Sequence, residues 1–176
     1  MTAKNAQDET IQWQTGHCYL GEVLVACTPR GVCAVLLGDT ADELVEDLAQ
    51  RFPRAELIHA NDFRAPWFTE VMNYLIDSRR PLSVELDVRG TDFQCRVWQA
   101  LQQIPSGCSS SYGDIAQQLG LPSASRAVAG ACAANPLAVV VPCHRVLRGD
   151  GSLSGYRWGV KRKQAVLSHE QGLSDR

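Results

Sequence analysis

No stretch of this sequence reaches the roughly 18 consecutive apolar residues that a membrane-spanning helix needs. The first ten residues, Met1 to Thr10, are polar and lack the apolar centre of a secretion signal. These two absences lead us to expect a cytoplasmic protein with no membrane partner. There is no C-x-x-C pair and the four histidines are scattered, so no metal site is expected. Neither a glycine-rich phosphate loop nor a nucleotide fingerprint occurs, so no cofactor is expected. Internal repeats and low-complexity tracts are also missing. Net charge is only −2, a poor sign for a nucleic-acid partner.

The charge is unevenly spread. Residues 1–88 hold seven basic and fourteen acidic side chains, a net of −7. Residues 89–176 hold ten basic and five acidic, a net of +5. Such asymmetry points to a polyanion met by one half only. The length, 176 residues, allows one large domain or two small ones. Seven cysteines is an odd number, and without a secretion signal they read as free thiols.

The first half alternates strand and helix signals. Strands are expected over 10–15, 19–27 and 31–37, with a turn at Thr28-Pro29-Arg30-Gly31. Thr40 and Glu43 spell a capping box before Leu44, Leu48 and Phe52 at helical spacing, and Pro53 stops that helix. Pro66 suits the first turn of a helix bearing Trp67, Val71 and Leu75. Segment 82–88 alternates like another strand. This half reads as a small α/β domain over residues 1–89, with nothing that resembles a site.

Residues 90–176 read as mostly helical. Thr91 and Gln94 form a second capping box before the stripe Phe93, Val97, Leu101 and Ile104. Ser111 can cap a helix through Gln118, closed by Gly120. Ser123 can cap another from about Ala124 to Ala134, stopped by Asn135-Pro136. Two short helices across a glycine-containing turn suggest a helix-turn-helix. A strand-like apolar run, Leu137 to Val141, leads into Pro142-Cys143-His144-Arg145. A glycine-rich loop follows over 149–159, then a last helix from about Gly159 to His169, with Glu170 at its end.

Chemistry concentrates at Cys143. A thiol is a strong nucleophile only as thiolate, and a nearby base can supply that state. In extended chain Cys143 and His144 would face opposite ways, so their link would run through a water. A carboxylate such as Glu170 could orient the imidazole. Taken alone, Cys143-His144 is also what an inert buried thiol beside a histidine looks like. The helix 124–134 carries almost only tiny side chains besides Arg126. It cannot read base edges in a major groove, but it can press into a narrow minor groove. Small residues equally suit tight helix packing.

Pro142-Cys143-His144-Arg145-Val146 resembles the active-site signature of the O6-alkylguanine-DNA alkyltransferases. The likeness extends through Phe93-Gln94, Val97-Trp98, Ile104-Pro105-x-Gly107, Ser111-Tyr112-Gly113, Arg126-Ala127-Val128, Asn135-Pro136, Gly155-Tyr156-Arg157-Trp158-Gly159 and His169-Glu170. The Gly-Tyr-Arg-Trp-Gly stretch looks most like the C-terminal repair domain of bacterial Ada proteins. In the first half the likeness rests only on the order and length of elements.

The resemblance implies a fold: a small α/β domain with a ribonuclease H-like sheet, then a helical domain with a winged-helix-like helix-turn-helix. It implies repair of O6-alkylguanine, and of O4-alkylthymine, in double-stranded DNA, by one irreversible transfer to Cys143. His144 would act through water as its base, with Glu170 holding the imidazole. Tyr112 would donate to the leaving guanine, and Asn135 would fix the turn before the active-site strand. Arg126 would fill the stack left by a flipped base. Tyr112, Gly113, Ala127 and Gln94 would join it in binding DNA. A monomer is expected. The cysteine cluster with which Ada-like proteins repair phosphotriesters does not occur in these residues, so that activity is not expected.

The segment Cys108-Ser109-Ser110-Ser111 is unusually small and polar for the loop before Tyr112. Arg157-Trp158 in the pocket loop is expected to restrict bulky adducts. Three other readings stand beside this one. An alkylation-damage binding protein would flip bases without transfer, but such proteins lack the acceptor cysteine. A winged-helix factor with Cys143 as redox sensor would bind specific sequences. A thiol hydrolase using Cys143 and His144 would turn over.

Overall fold

The structure, a computed structural model, describes residues 9–60, 65–153 and 155–174, the side chain of Ser174 excepted. Of the polar Met1–Thr10 stretch, only Glu9 and Thr10 are among them. The chain divides into two compact units, Met1–Ile76 with Pro81–Val88, and Asp77–Arg80 with Arg89–Arg176.

In the first unit three β-branched segments pair as an antiparallel meander: β1 (Thr10–Cys18), β2 (Gly21–Thr28) and β3 (Gly31–Gly38). Helix α1 (Ala41–Arg51) leads to β4 (Glu56–His59), which joins β1 in parallel, giving the order β3-β2-β1-β4. Helix α2 (Pro66–Ile76) follows, with Pro66 in its first turn as the sequence suggests. Ile11, Leu24, Ala26, Ala34 and Leu36 of the sheet bury against Leu44 and Leu48 of α1.

Two local expectations change. Thr40 Oγ1 does accept from Glu43 N, at 3.3 Å, but Glu43 reaches back to Asp39 N rather than to the cap residue, so the box stays open. Segment 82–88 forms no regular strand. It makes one bridge, Val32 with Leu86, through Val32 N to Glu85 O at 2.9 Å and Asp87 N to Val32 O at 2.8 Å. That bridge covers part of the otherwise open edge of β3. It approaches so closely that a Cβ on Gly31 would lie 2.5 Å from Glu85 O, so only glycine fits there.

The second unit is built on α3 (Asp92–Gln102), whose capping box is complete: Thr91 and Gln94 bond each other's backbone in both directions. Val97, Trp98 and Leu101 form its buried face. The helix-turn-helix follows as α4 (Tyr112–Gln118) and α5 (Ser125–Ala133). Ser111 caps α4 by accepting from Asp114 N at 3.0 Å, and Gly120 takes the left-handed φ of +75° that ends it. Helix α5 is not capped by Ser123. Its N-cap is Ala124, with no side-chain cap bond. Trp98 Nε1 donates to Ala131 O at 2.9 Å and locks α5 to α3.

A short parallel pair, β5 (Ser110–Ser111) and β6 (Val146–Leu147), sets the geometry of what lies between. β5 leads directly into Tyr112, and β6 starts three residues after Cys143. Helix α6 (Val160–Ser174) closes the unit and runs past His169, so Glu170 sits inside a helix rather than at its end.

Candidate active site

The run Leu137 to Val141 is buried but is not a strand. Val139 has φ +66°, and Val140 N bonds Ala138 O at 2.7 Å, which makes a γ-turn that β-branched residues avoid. Pro142, at φ −82° and ψ 62°, forms the opposite turn, with Cys143 N bonding Val141 O at 2.8 Å. Cys143–Arg145 then make one turn of 3-10 helix. Period-two reasoning fails here because five buried apolar residues are compatible with packed turns as well as with a strand.

Asn135 is the post around which these turns wind. It is fully buried. Its Oδ1 accepts from Leu137 N at 2.8 Å, and its Nδ2 donates to Val141 O at 2.8 Å and to Cys143 Sγ at 3.3 Å. Burial pushes the Cys143 thiol up to about 11, against the pull of the Asn135 bond and of the Lys163 ammonium.

His144 is also fully buried. Its Nε2 lies 3.0 Å from Glu170 Oε2, an ion-pair distance without hydrogen-bond alignment. Its Nδ1 has no hydrogen-bond partner among the described residues. Burial pulls the imidazole below its ordinary range, and the Glu170 carboxylate opposes this. A neutral ring with an open nitrogen is what a base for a nearby thiol requires. The 3-10 backbone at 143–145 replaces the extended geometry from which opposite side-chain directions would follow.

Glu170 is held more firmly than the sequence suggests. Arg145 grips both its oxygens, Nε to Oε1 at 3.0 Å and Nη2 to Oε2 at 2.6 Å. Arg145 also donates to Ile104 O, and Ser78 Oγ donates to Oε2 at 2.8 Å. Burial alone would raise this carboxyl; the His144 and Arg145 contacts outweigh it and hold it well below the usual carboxylate range.

Sequence reasoning assigned no role to Arg145, Ser78 or Lys163. Lys163 is completely buried on α6, with Nζ donating to Val146 O at 2.8 Å. A fully buried ammonium is rare without a nearby anion. Burial pulls the Lys163 ammonium below its ordinary range, and the sulfurs of Cys143 and Cys132 oppose this. The only sequence signal was a lysine in the middle of the last helix, and nothing in the spacing placed it inward.

Cys143 sits in a cleft of about 760 Å³, a size usual for a small-molecule site. Helix α5 lines it with Ser125, Arg126, Ala129, Cys132 and Ala133, and Tyr112, Arg148 and residues 155–157 complete it. The structure therefore brings Cys143, Asn135, His144, Glu170, Tyr112 and Arg126 to one region. Gln94, Gly113 and Ala127 do not line the cleft, and Gln94 is occupied in capping α3.

The site is thus a cleft with a buried cysteine at its base and the short helix α5 as its wall. Residues 92–172 match the family described as "6-O-methylguanine DNA methyltransferase, DNA binding domain". The chain is 47% identical over its whole length to 51% of the bifunctional transcriptional activator/DNA repair enzyme Ada of Escherichia coli. It is 42% identical to the inducible methylated-DNA–protein-cysteine methyltransferase of Bacillus subtilis, over 76% of this chain and 74% of that one. Among solved structures, Mycobacterium tuberculosis OGT in complex with DNA matches with a TM-score of 0.75 and 33% identity, covering 92% of this chain and 93% of the other. The chain belongs to the methylated-DNA–protein-cysteine methyltransferase family. It spans about half the length of the two Ada relatives, 51% and 47%.

Proposed function

We propose that this chain repairs double-stranded DNA by moving an alkyl group from O6 of guanine, and from O4 of thymine, onto Cys143, once per molecule. The observation that carries this is the Cys143 sulfur, bonded by Asn135 Nδ2 at 3.3 Å at the base of a cleft walled by α5. The thiol proton passes through a water to His144 Nδ1, while Glu170 supports the imidazolium. The sulfur then displaces guanine at the alkyl carbon. The S–C bond forms and the C–O6 bond breaks. The departing guanine takes a proton from Tyr112, and the imidazolium gives up the thiol's proton to solvent as the tyrosine regains one, so the proton count closes. The product is a thioether with no carbonyl for water to attack, so the thiol is not regenerated and no cofactor is required.

The reactive carbon of a base-paired guanine is hidden, so the nucleotide must leave the stack. Arg126 lies at the exposed wall of the cleft, where a long cation can enter the gap. Gln94, Gly113 and Ala127 belong to the DNA-contacting face in this reading, outside the cleft itself. We further propose that residues 90–176 carry transfer and DNA binding, with 1–89 in support. In the same reading the meander plus parallel β4 is a ribonuclease H-like sheet, and α4–α5 with the β5–β6 pair a winged-helix-like unit. The protein would act as a cytoplasmic monomer; no helix among the described residues is long and apolar enough to cross a membrane. Incubation with excess O6-methylguanine duplex tests the reading. Repaired guanine should plateau at one equivalent per protein, whereas continued accumulation would mean a turning-over enzyme.

Lys163→Met should raise the Cys143 thiol further, because a cation beside a thiolate favours the charged form. Iodoacetamide labelling of Cys143 against pH checks this. The labelling curve should move to higher pH, and an unmoved curve would remove Lys163 from the thiol's surroundings. Arg157 donates to Ala133 O at 3.0 Å and lies over the Trp158 ring, its guanidinium carbon 5.9 Å from the centroid. It thus fastens the pocket loop to the end of α5, and methyl transfer should outpace benzyl transfer. Equal rates for the two adducts would show that this contact does not limit the pocket.

A further inference from the structure

Seven of the residues lining the cleft bear titratable side chains: Tyr112, Arg126, Cys132, Cys143, Arg148, Tyr156 and Arg157. Three are guanidinium groups and none is a carboxylate. A cation-lined pocket that faced only a neutral purine would leave those charges without a purpose in binding. Arg157 is committed to Ala133 O. The side chains of Arg126 and Arg148 make no hydrogen bond among the described residues, and both residues are exposed. Arg126 stands on α5, whereas Arg148 directly follows β6.

The Arg148 backbone is fixed. Its N–H donates to Ser152 O at 3.1 Å, and its carbonyl accepts from Gly151 N at 2.8 Å. Gly151 takes the φ of +85° that this turn requires. The carboxylate in the turn, Asp150, accepts from Ser152 N at 2.9 Å and from Ser152 Oγ at 2.7 Å. Asp150 is thus hydrogen-bonded by the serine; the Arg148 charge acts on it only through space, so the guanidinium fork keeps its donors. Lys163 is the other charge that acts on this neighbourhood, and it adds to the positive potential. An open fork on a rigid turn suits a phosphodiester, which it can bind through two parallel bonds.

Resting on the alkyltransferase reading, we propose that Arg148 binds a phosphodiester beside the extrahelical nucleotide and so positions that nucleotide over Cys143. Arg126 fills the gap in the stack; Arg148 holds the strand that left it. Arg148 is then a positioning residue that never touches the alkyl group.

The test compares wild type, Arg148→Gln and Arg148→Lys in single-turnover methyl transfer, from an O6-methylguanine duplex over a range of salt and from the free base O6-methylguanine, which has no phosphate. Arg148→Gln should raise the half-saturating duplex concentration by about tenfold and lower the salt slope by about one, with a far smaller change in the free-base rate. Arg148→Lys should recover most of the loss. An unchanged duplex concentration and slope would overturn the proposal. So would an equal fall in the free-base rate, which would mean that the turn shapes the pocket rather than gripping DNA. Wild-type protein that demethylates neither substrate would overturn the alkyltransferase reading, and this assignment with it.

Discussion

Glu170→Ala is expected to unfold much of the second unit at temperatures the wild type survives. The substitution removes a carboxylate that accepts from Arg145 at 3.0 and 2.6 Å and from Ser78 at 2.8 Å, and that lies 3.0 Å from His144. Arg145 is 3% exposed, so its charge cannot turn to water for compensation. Breaking a buried pair from one side costs about 3–5 kcal/mol, against a total stability of about 5–15 kcal/mol. For a unit of this size the melting temperature should fall on the order of 15–25 °C. Thermal unfolding followed by circular dichroism reads this directly. A fall of a degree or two would mean that the network carries little of the fold.

The same carboxylate gives the protein a defined acid limb. Its folded pKa lies below its ordinary value of 4.5. Its contribution is therefore complete above about pH 4.5 and is lost as pH falls through the lower folded value. Urea unfolding of Glu170→Gln should depend less on pH below 4.5 than that of wild type.

Cys143→Ser is expected to abolish transfer by at least about 10⁴-fold while retaining affinity for lesion-containing duplex. A serine hydroxyl still accepts from Asn135 Nδ2, so the turns around it keep their bonds. It cannot ionise at neutral pH in a site that already disfavours the thiolate. Gel-shift titration alongside a transfer assay separates the two properties. A damage-binding protein would show no difference between wild type and variant in either assay.

The legible parts of this molecule were those governed by local rules. The Thr91–Gln94 box, the Ser111 cap and Pro66 in its first turn act within three or four residues and stand as the sequence implies. β4 was missed because a four-residue edge strand has too few positions to display a period. Segment 82–88 has the alternation of a strand, but only Leu86 finds a bridge partner. The capping of α5 fails for a different reason. Ser123 lies one residue too early, and the chain enters the helix through Ala124.

At the site, the motif named the cysteine and histidine but not the form of the chain that presents them. Leu137 to Val141 are apolar throughout, and the pattern holds no trace of the buried asparagine side chain that replaces strand partners. Arg145 stood in the motif without a role because its partners, Glu170 and Ile104, lie 25 and 41 positions away in the chain. Lys163 was hidden for the same reason: an inward lysine on a helix whose polar residues face all round has no periodic signature.

The central claim is that Cys143 accepts one alkyl group and keeps it. Wild-type protein incubated with a duplex bearing a single O6-methylguanine can be weighed intact and then as peptides. A gain of one methyl group, found on the peptide containing Cys143 and unchanged by further lesion, is the predicted result. Unaltered mass after full repair of the duplex, or a methyl on another cysteine such as Cys132 with Cys143 unmodified, would contradict it.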